Sequence, residues 1–526
     1  MINISDQFGK NATERIIFMA KIFKYDNIPP VQTTAGKIRG YFFDKTYIFK
    51  GIPYAQAKRF QMPTPVTPWE DERETASYGC VSPMLREDQP TGELFVPHRY
   101  WIKDENCQNL NVWTKSLNKD AKRPVLVWFH GGAFSAGSAI EHIGYDGANM
   151  CDKGDLVIVS VNHRLNILGY LDLSHFGEKY KNSANVGHAD MVASLEWVRD
   201  NIANFGGDPD NVTIFGQSGG GMKCSGLMQI PAANGLFHKA IIMSGVSDGK
   251  LLRLGKGDGK QIAGALMAKL GFDNPEQLET VSYYELAQAY NEVAPPLANE
   301  GLYVGCRPKA NYYYMGEPLE DGVGFTDHAK TIPFLVGTVF GEFTFGPLPI
   351  DKEKATEAEV MAAMQHQFGT RFAELVDAYK LAYPGKKLAD IFALDKRFRI
   401  PSKNLAALAA KDGAAAYLYQ FNLEFPYRQQ KIAWHCADIP FFFHNTDKVE
   451  VCNIENVSDK LEARMFGVIK AFAETGDPNH SGIPTWPKCE PDAEHTMIFD
   501  RECEVRTNLD DKLMELLEEL SPASGR

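Results

Sequence analysis

The run Phe215-Gly216-Gln217-Ser218-Gly219-Gly220-Gly221 follows the strand-like Val212-Thr213-Ile214 and sets a serine between small residues. A serine in G-x-S-x-G sits on a sharp strand-to-helix turn, with its hydroxyl exposed above a sheet. The turn is tight, so Gly216 and Gly220 must lack bulk. With 45 glycines in the chain the pattern alone is weak. A second motif strengthens it. Pro124-Val125-Leu126-Val127 reads as a buried strand and leads into Trp128-Phe129-His130-Gly131-Gly132-Ala133-Phe134. An H-G-G segment after an early strand offers backbone N–H groups to a developing oxyanion. The residue after the nucleophile, Gly219, supplies a further donor. The chemistry these two turns suit is acyl transfer to a serine.

A serine hydroxyl needs a base, and the base needs an orienting acid. In a strand-turn-helix site of this kind the order along the chain is Ser, then Asp or Glu, then His. Ile332-Pro333-Phe334-Leu335-Val336-Gly337-Thr338 reads as a strand, and Glu342 stands just beyond it. Position alone leaves Glu342 level with a solvated carboxylate, one of 67 acidic residues. The next strand, Ala416-Tyr417-Leu418-Tyr419-Gln420-Phe421, is followed by Ala433-Trp434-His435-Cys436-Ala437-Asp438. His435 is the best general base. His366, His444, His480 and His495 also follow Glu342, but none has the same strand-then-loop setting. His435, Cys436 and Asp438 also admit a metal-cluster reading, which lacks a matching ligand pair at zinc-like spacing.

Taken together, these motifs resemble the type-B carboxylesterases, the cholinesterase-like branch of the α/β-hydrolase fold. The likeness runs from about Val31 to the C-terminal helix. It includes Phe49-Lys50-Gly51-Ile52-Pro53-Tyr54-Ala55, Glu105-Asn106-Cys107-Gln108-Asn109-Leu110-Asn111-Val112-Trp113, Val161-Asn162-His163-Arg164, Asn204-Phe205-Gly206-Gly207-Asp208-Pro209 and Phe472-Ala473-Glu474-Thr475-Gly476-Asp477-Pro478-Asn479. The resemblance implies hydrolysis of small to medium acyl or aryl esters through an acyl-serine, with no cofactor and no metal. It implies Ser218, Glu342 and His435 as the triad, with Glu342 five residues past Gly337. Gly132, Ala133 and Gly219 become the oxyanion donors. Phe345 matches an aromatic pocket position, and Phe134 is a second candidate for the pocket wall. The family usually has Glu before the nucleophile and Ala after it, where this chain has Gln217 and Gly219. Lys223 stands where a small hydroxyl residue is common; a lysine that close to Ser218 could tune the pocket or snorkel to water, and snorkelling is the favoured reading. Arg307 to Met315 replaces a family Pro-x-x-Asp-Gly stretch, and Tyr312–Tyr314 suit either a cleft wall or a packed loop. Trp101 is out of register with the tryptophan that binds choline in cholinesterases. Cys80 and Cys107 match the family's first disulfide loop and would stay reduced in a cytosolic protein.

These residues need a large scaffold to position them. The chain has 526 residues, 44% of them apolar, enough for a sizeable core. Length alone suggests about three domains at ~150 residues each. The resemblance implies instead an extension over 1–28 and one α/β-hydrolase domain over 29–526, with helical cap insertions around 250–330 and 350–412. Strands alternating with helices imply an α/β fold, with a mainly parallel sheet covered on both faces. One helix is expected from Asp190 to Asn204, and a short amphipathic helix around Ile16–Ala20. The formal net charge of −12 argues against a nucleic-acid partner. The apolar run Ile16–Ala20 is too short to span a bilayer and has no cleavage site, so a soluble, cytoplasmic protein acting on a small-molecule ester is expected. A non-catalytic scaffold of the same family is the rival reading, and the filled triad positions weigh against it. Carbamate, thioester or amide substrates remain open, because an oxyanion site serves any acyl group.

Overall fold

The structure, a computed structural model, describes residues 21–86, 98–248, 255–344, 348–427 and 431–520. The expected helix around Ile16–Ala20 lies outside them. Among the described residues the centre is a 12-stranded sheet. Phe23–Lys24, Tyr41–Phe43, Thr46–Pro53, Asn109–Thr114 and Val157–Val161 pair antiparallel in that order. From Val157–Val161 onward the sheet is parallel, through Arg123–Phe129, Gly207–Gln217, Lys239–Met243, Phe334–Val339, Ala416–Phe421 and His495–Phe499. Glu504–Thr507 closes it antiparallel.

The parallel strands are mostly apolar through their buried stretches because both faces are covered there. Alternate residues feed two cores. Leu126, Trp128, Phe215, Ile241, Leu335 and Tyr419 point into one, with the helices Ser458–Thr475 and Asp511–Leu520. Val125, Val127, Ile214, Ile242, Val336 and Leu418 point into the other, with Val186–Asn201, Gly219–Met228 and Arg399–Lys411. Lys260–Leu270 and Tyr283–Asn299 build a third cluster with Ile167 and Leu171.

Two elements differ from the sequence expectation. The helix expected from Asp190 begins at Val186, and a 3-10 turn over Ile202–Phe205 follows it. Its first turn is buried all round, so no amphipathic stripe marks it. Asp190 is fully buried and is held by Arg164, whose Nε and Nη2 reach its two oxygens at 2.8 and 2.6 Å. The second difference is at the N-terminal end, where Phe23–Lys24 of the expected extension is an edge strand of the main sheet.

Candidate active site

Each candidate residue lies past the C-terminal end of a parallel strand, the end where sheets of this kind bind ligands. Gly207–Gln217 ends at Ser218, which caps the helix Gly219–Met228 with φ 58° and ψ −125°. The Ser218 N–H donates to the Met243 carbonyl at 2.8 Å, and its carbonyl accepts from Met222 N–H at 3.1 Å. Those bonds lock a backbone conformation that a non-glycine residue otherwise avoids. The side chain is half-buried, so it can be reached. The turn has no room for bulk: a Cβ on Gly220 would lie 2.0 Å from the Phe129 carbonyl oxygen.

The His130–Ala133 loop runs beside this turn. A Cβ on Gly131 would lie 3.6 Å from Ser218 Cβ, and one on Gly219 only 2.3 Å from Ala133 N, Cα and O. Gly132 and Ala133 hold φ of 85° and 51°. The N–H groups of Gly132, Ala133 and Gly219 donate to no acceptor among the described residues. Phe134 is buried and packs with Tyr170, Met222 and Phe398. Phe345 lies outside the described residues.

Glu342 follows the strand Phe334–Val339 and is fully buried with φ 27°. Its Oε1 accepts from Ser244 Oγ at 2.7 Å and from Val339 N–H at 2.8 Å. Its Oε2 bonds His435 Nδ1, and its backbone carbonyl accepts from His435 N–H at 2.7 Å. A carboxylate can only accept, so Nδ1 carries the proton and Nε2 is left unprotonated. His435 is 7% exposed, flanked by Phe343 at 4.3 Å and by Phe398 at 5.6 Å between ring centroids. No hydrogen bond joins Ser218 Oγ to His435 in this arrangement. The Gln217 amide nitrogen lies 3.3 Å from both ring nitrogens, while Gln217 Oε1 accepts from Cys436 Sγ at 3.1 Å. Serine–histidine bonds in unliganded sites are often loose and tighten with substrate.

Sequence reasoning missed Ser244, Phe398 and the Gln217–Cys436 contact. Ser244 was signalled by its place after the strand Lys239–Met243, at the same sheet end as Ser218. Nothing in the sequence pointed to Phe398. Lys223 corrects an expectation outright: it does not reach water. It is 0% exposed, its Nζ donates to the His130 carbonyl at 2.8 Å, and burial lowers its pKa to about 7. Tyr314 is buried and donates to Glu317 at 2.7 Å, which packs that end of the loop, while Tyr312 is exposed. Cys80 and Cys107 are free thiols, as are the other seven cysteines.

The metal-cluster reading of His435, Cys436 and Asp438 loses its donors to protein partners: Glu342, Gln217 and the Tyr419 hydroxyl, 2.8 Å from Asp438. Elsewhere Glu494, Asp510 and Asp511 bring carboxylates close enough to share a cation. Arg399 and Lys403 already fill that role, at 3.0 and 2.6 Å from Asp510.

A serine elbow and a carboxylate-held histidine on one mainly parallel sheet define an α/β-hydrolase. The family model for the carboxylesterase family matches residues 27–517. The chain belongs to that family and is a carboxylic ester hydrolase of the serine type. It is 31% identical over 506 residues to the para-nitrobenzyl esterase of Bacillus subtilis (strain 168), covering 94% of this chain and 99% of that one. A solved esterase from the anaerobe Clostridium hathewayi, described as able to hydrolyse aliphatic aromatic polyesters, is 57% identical. It superposes with a TM-score of 0.93 over 95% of this chain and 100% of its own. A Geobacillus stearothermophilus carboxylesterase is 29% identical with a TM-score of 0.67, over 93% and 99% of the two chains.

Proposed function

We propose that Ser218 is the nucleophile, His435 its base and Glu342 the acid that orients His435. The observation that carries this is the bond between Glu342 and His435 Nδ1, which leaves Nε2 as the ring's acceptor. Ser218 Oγ attacks the acyl carbon while His435 takes its proton. The carbonyl electron pair moves to oxygen, and the N–H groups of Gly132, Ala133 and Gly219 hold that oxyanion. Their lack of other acceptors supports this role. Collapse breaks the ester C–O bond, and His435 returns the proton to the leaving alcohol. Water, deprotonated by His435, then attacks the acyl-serine and releases the carboxylic acid.

The substrates are small to medium acyl or aryl esters. Likeness to the Clostridium hathewayi esterase adds the ester bonds of aliphatic aromatic polyesters. Phe134, packed against Phe398, belongs to the pocket wall. The stretches around 250–330 and 350–412 act as cap insertions, the second supplying Phe398 beside His435. Nine free thiols favour a cytoplasmic setting. Fluorophosphonate labelling with peptide mapping tests the assignment. A single adduct on Ser218, absent from a folded Ser218→Ala variant that also fails to turn over nitrophenyl esters, is the expected result. Turnover retained by that variant would place the nucleophile elsewhere.

A further inference from the structure

The Lys223 amine is a fully buried group that the reaction above does not use. It sits on Gly219–Met228, the helix that begins at the nucleophile, and its long arm carries the amine across to the first residue of the oxyanion loop. Desolvating an ammonium is costly. The one hydrogen bond it makes among the described residues goes to the His130 carbonyl. Around it stand three histidines. His130 and His163 stack at 5.1 Å, and His188 is fully buried. Burial first, and the Lys223 charge second, push all three well below the usual histidine range, so they surround the amine as neutral rings.

The loop is tied differently at its two ends. At its exit, Ser135 and Ala136 N–H donate to the Gly132 carbonyl at 3.2 and 3.0 Å, and Asn166 N–H donates to the Phe134 carbonyl at 2.7 Å. At its entry the His130 carbonyl is held by Lys223 at 2.8 Å. Between them lie Gly131, whose carbonyl is 2.9 Å from His130 Nδ1, Gly132 and Ala133; the two glycines have no side chain to restrain their backbone. We propose that Lys223 is a positioning residue of the oxyanion site: its amine pins the entry of the His130–Ala133 loop to the nucleophile helix and so keeps the Gly132 and Ala133 N–H groups aimed at Ser218. This rests on the oxyanion role given above to those groups.

Lys223→Met keeps the length of the arm and removes the donor. Three constants separate aim from mere packing: kcat and KM on a nitrophenyl ester, and the inhibition constant of an aryl trifluoromethyl ketone, which adds to Ser218 and needs the oxyanion donors. A loop misplaced by ~1 Å costs on the order of 100-fold. The expected result is kcat lower by ~10–100-fold, ketone binding weaker by the same factor, and KM changed by less than about 3-fold. If Lys223→Met does not fold, Lys223→Gln, with a donor on a shorter arm, takes its place, and its losses in kcat and ketone binding should again match. A folded variant in which both constants are unchanged, or only KM moves, overturns the proposal. The wild-type protein is the control for the parent mechanism. If it neither binds the ketone nor takes fluorophosphonate on Ser218, the oxyanion reading falls as well. If it does both beside an unaffected variant, only the Lys223 assignment falls.

Discussion

Gly219→Ala sets local geometry against family habit. Alanine is the usual residue after the nucleophile in proteins this chain resembles, so a family average would call the change benign. Here the new Cβ would lie 2.3 Å from Ala133 N, Cα and O. All three atoms are backbone, so no side chain can swing aside. Ordinary van der Waals contact requires the two segments to part by about 1 Å. Gly219 is fixed at the start of a buried helix, whereas Ala133 lies in a loop, so the loop moves. It carries two of the three proposed donors with it. A displacement of that size costs about 100-fold in rate, and outright loss of a donor on the order of 3–4 kcal/mol. The assay is kcat and KM on nitrophenyl butyrate, with a thermal melt to verify folding. We expect a folded variant with kcat down 100-fold or more and KM nearly unchanged. A Gly219→Ala enzyme within two-fold of wild type would show that the loop yields without losing aim, and would refute the tight coupling argued here.

Three further outcomes follow from the same contacts. Ser244→Ala removes one of two donors to Glu342 Oε1 and leaves Val339 N–H alone there; stability should fall by about 1–2 kcal/mol in urea titration, and kcat should fall while KM holds. Arg164→Met strands the Asp190 carboxylate in the core and should cost about 3–5 kcal/mol, most of it recovered when Asp190→Leu is added. Burial raises Asp438 and Glu317 to about 7, so the folded protein keeps two protons that the unfolded chain releases near pH 4. Stability from these groups is therefore fully present below about pH 4 and is lost as pH rises toward 7. Lys223 acts in the opposite sense: its amine is lowered to about 7, so its charge opposes folding and stability rises as pH goes from about 7 to about 10.5. Urea midpoints of Asp438→Asn should fall less between pH 4.5 and 7 than those of wild type, and an equal fall would contradict the buried-acid account.

The parallel strands were legible because burial on both faces demands mostly apolar runs rich in β-branched or aromatic residues, as in Val157–Val161 and Ala416–Phe421. The glycine motifs were legible because few other residues fit such turns. What escaped was set by contacts between distant segments. The first turn of Val186–Asn201 hides Asp190, whose burial makes sense only with Arg164 beside it. Lys223 reads as a surface lysine until its helix is seen lying under the His130 loop. The Gln217–Cys436 contact joins residues far apart in sequence, and no local pattern encodes it. The strand at Phe23–Lys24 is too short to show a period and exists only because Tyr41–Phe43 presents an edge.

Among the described residues, five of the fifteen non-glycine positions with positive φ lie where the chemistry is proposed. Ala133, Ser218, Ser244, Glu342 and Cys436 hold φ of 51°, 58°, 44°, 27° and 75°, and none is glycine. Residues held in such conformations cost about 1–3 kcal/mol each, and they persist only where the surroundings over-determine them. The surroundings here are the buried strands Arg123–Phe129, Gly207–Gln217, Lys239–Met243 and Phe334–Val339, whose ends cannot shift without disturbing two cores at once. Three of the five, Ser244, Glu342 and Cys436, contribute a side chain to the contacts around Glu342, His435 and Gln217, and Ser218 contributes the hydroxyl of the proposed chemistry. Glycine there would relieve strain only by deleting a hydroxyl, a carboxylate or a thiol. Ala133 has only a methyl to lose, but its contact with Gly219 is what sets the depth of the loop. The same close approach leaves this chain with glycine after Ser218, and the loop it constrains is the one whose entry is tied by a buried lysine. The departures from the family pattern at Gly219 and Lys223 therefore act on one object, the path of the His130–Ala133 backbone past Ser218.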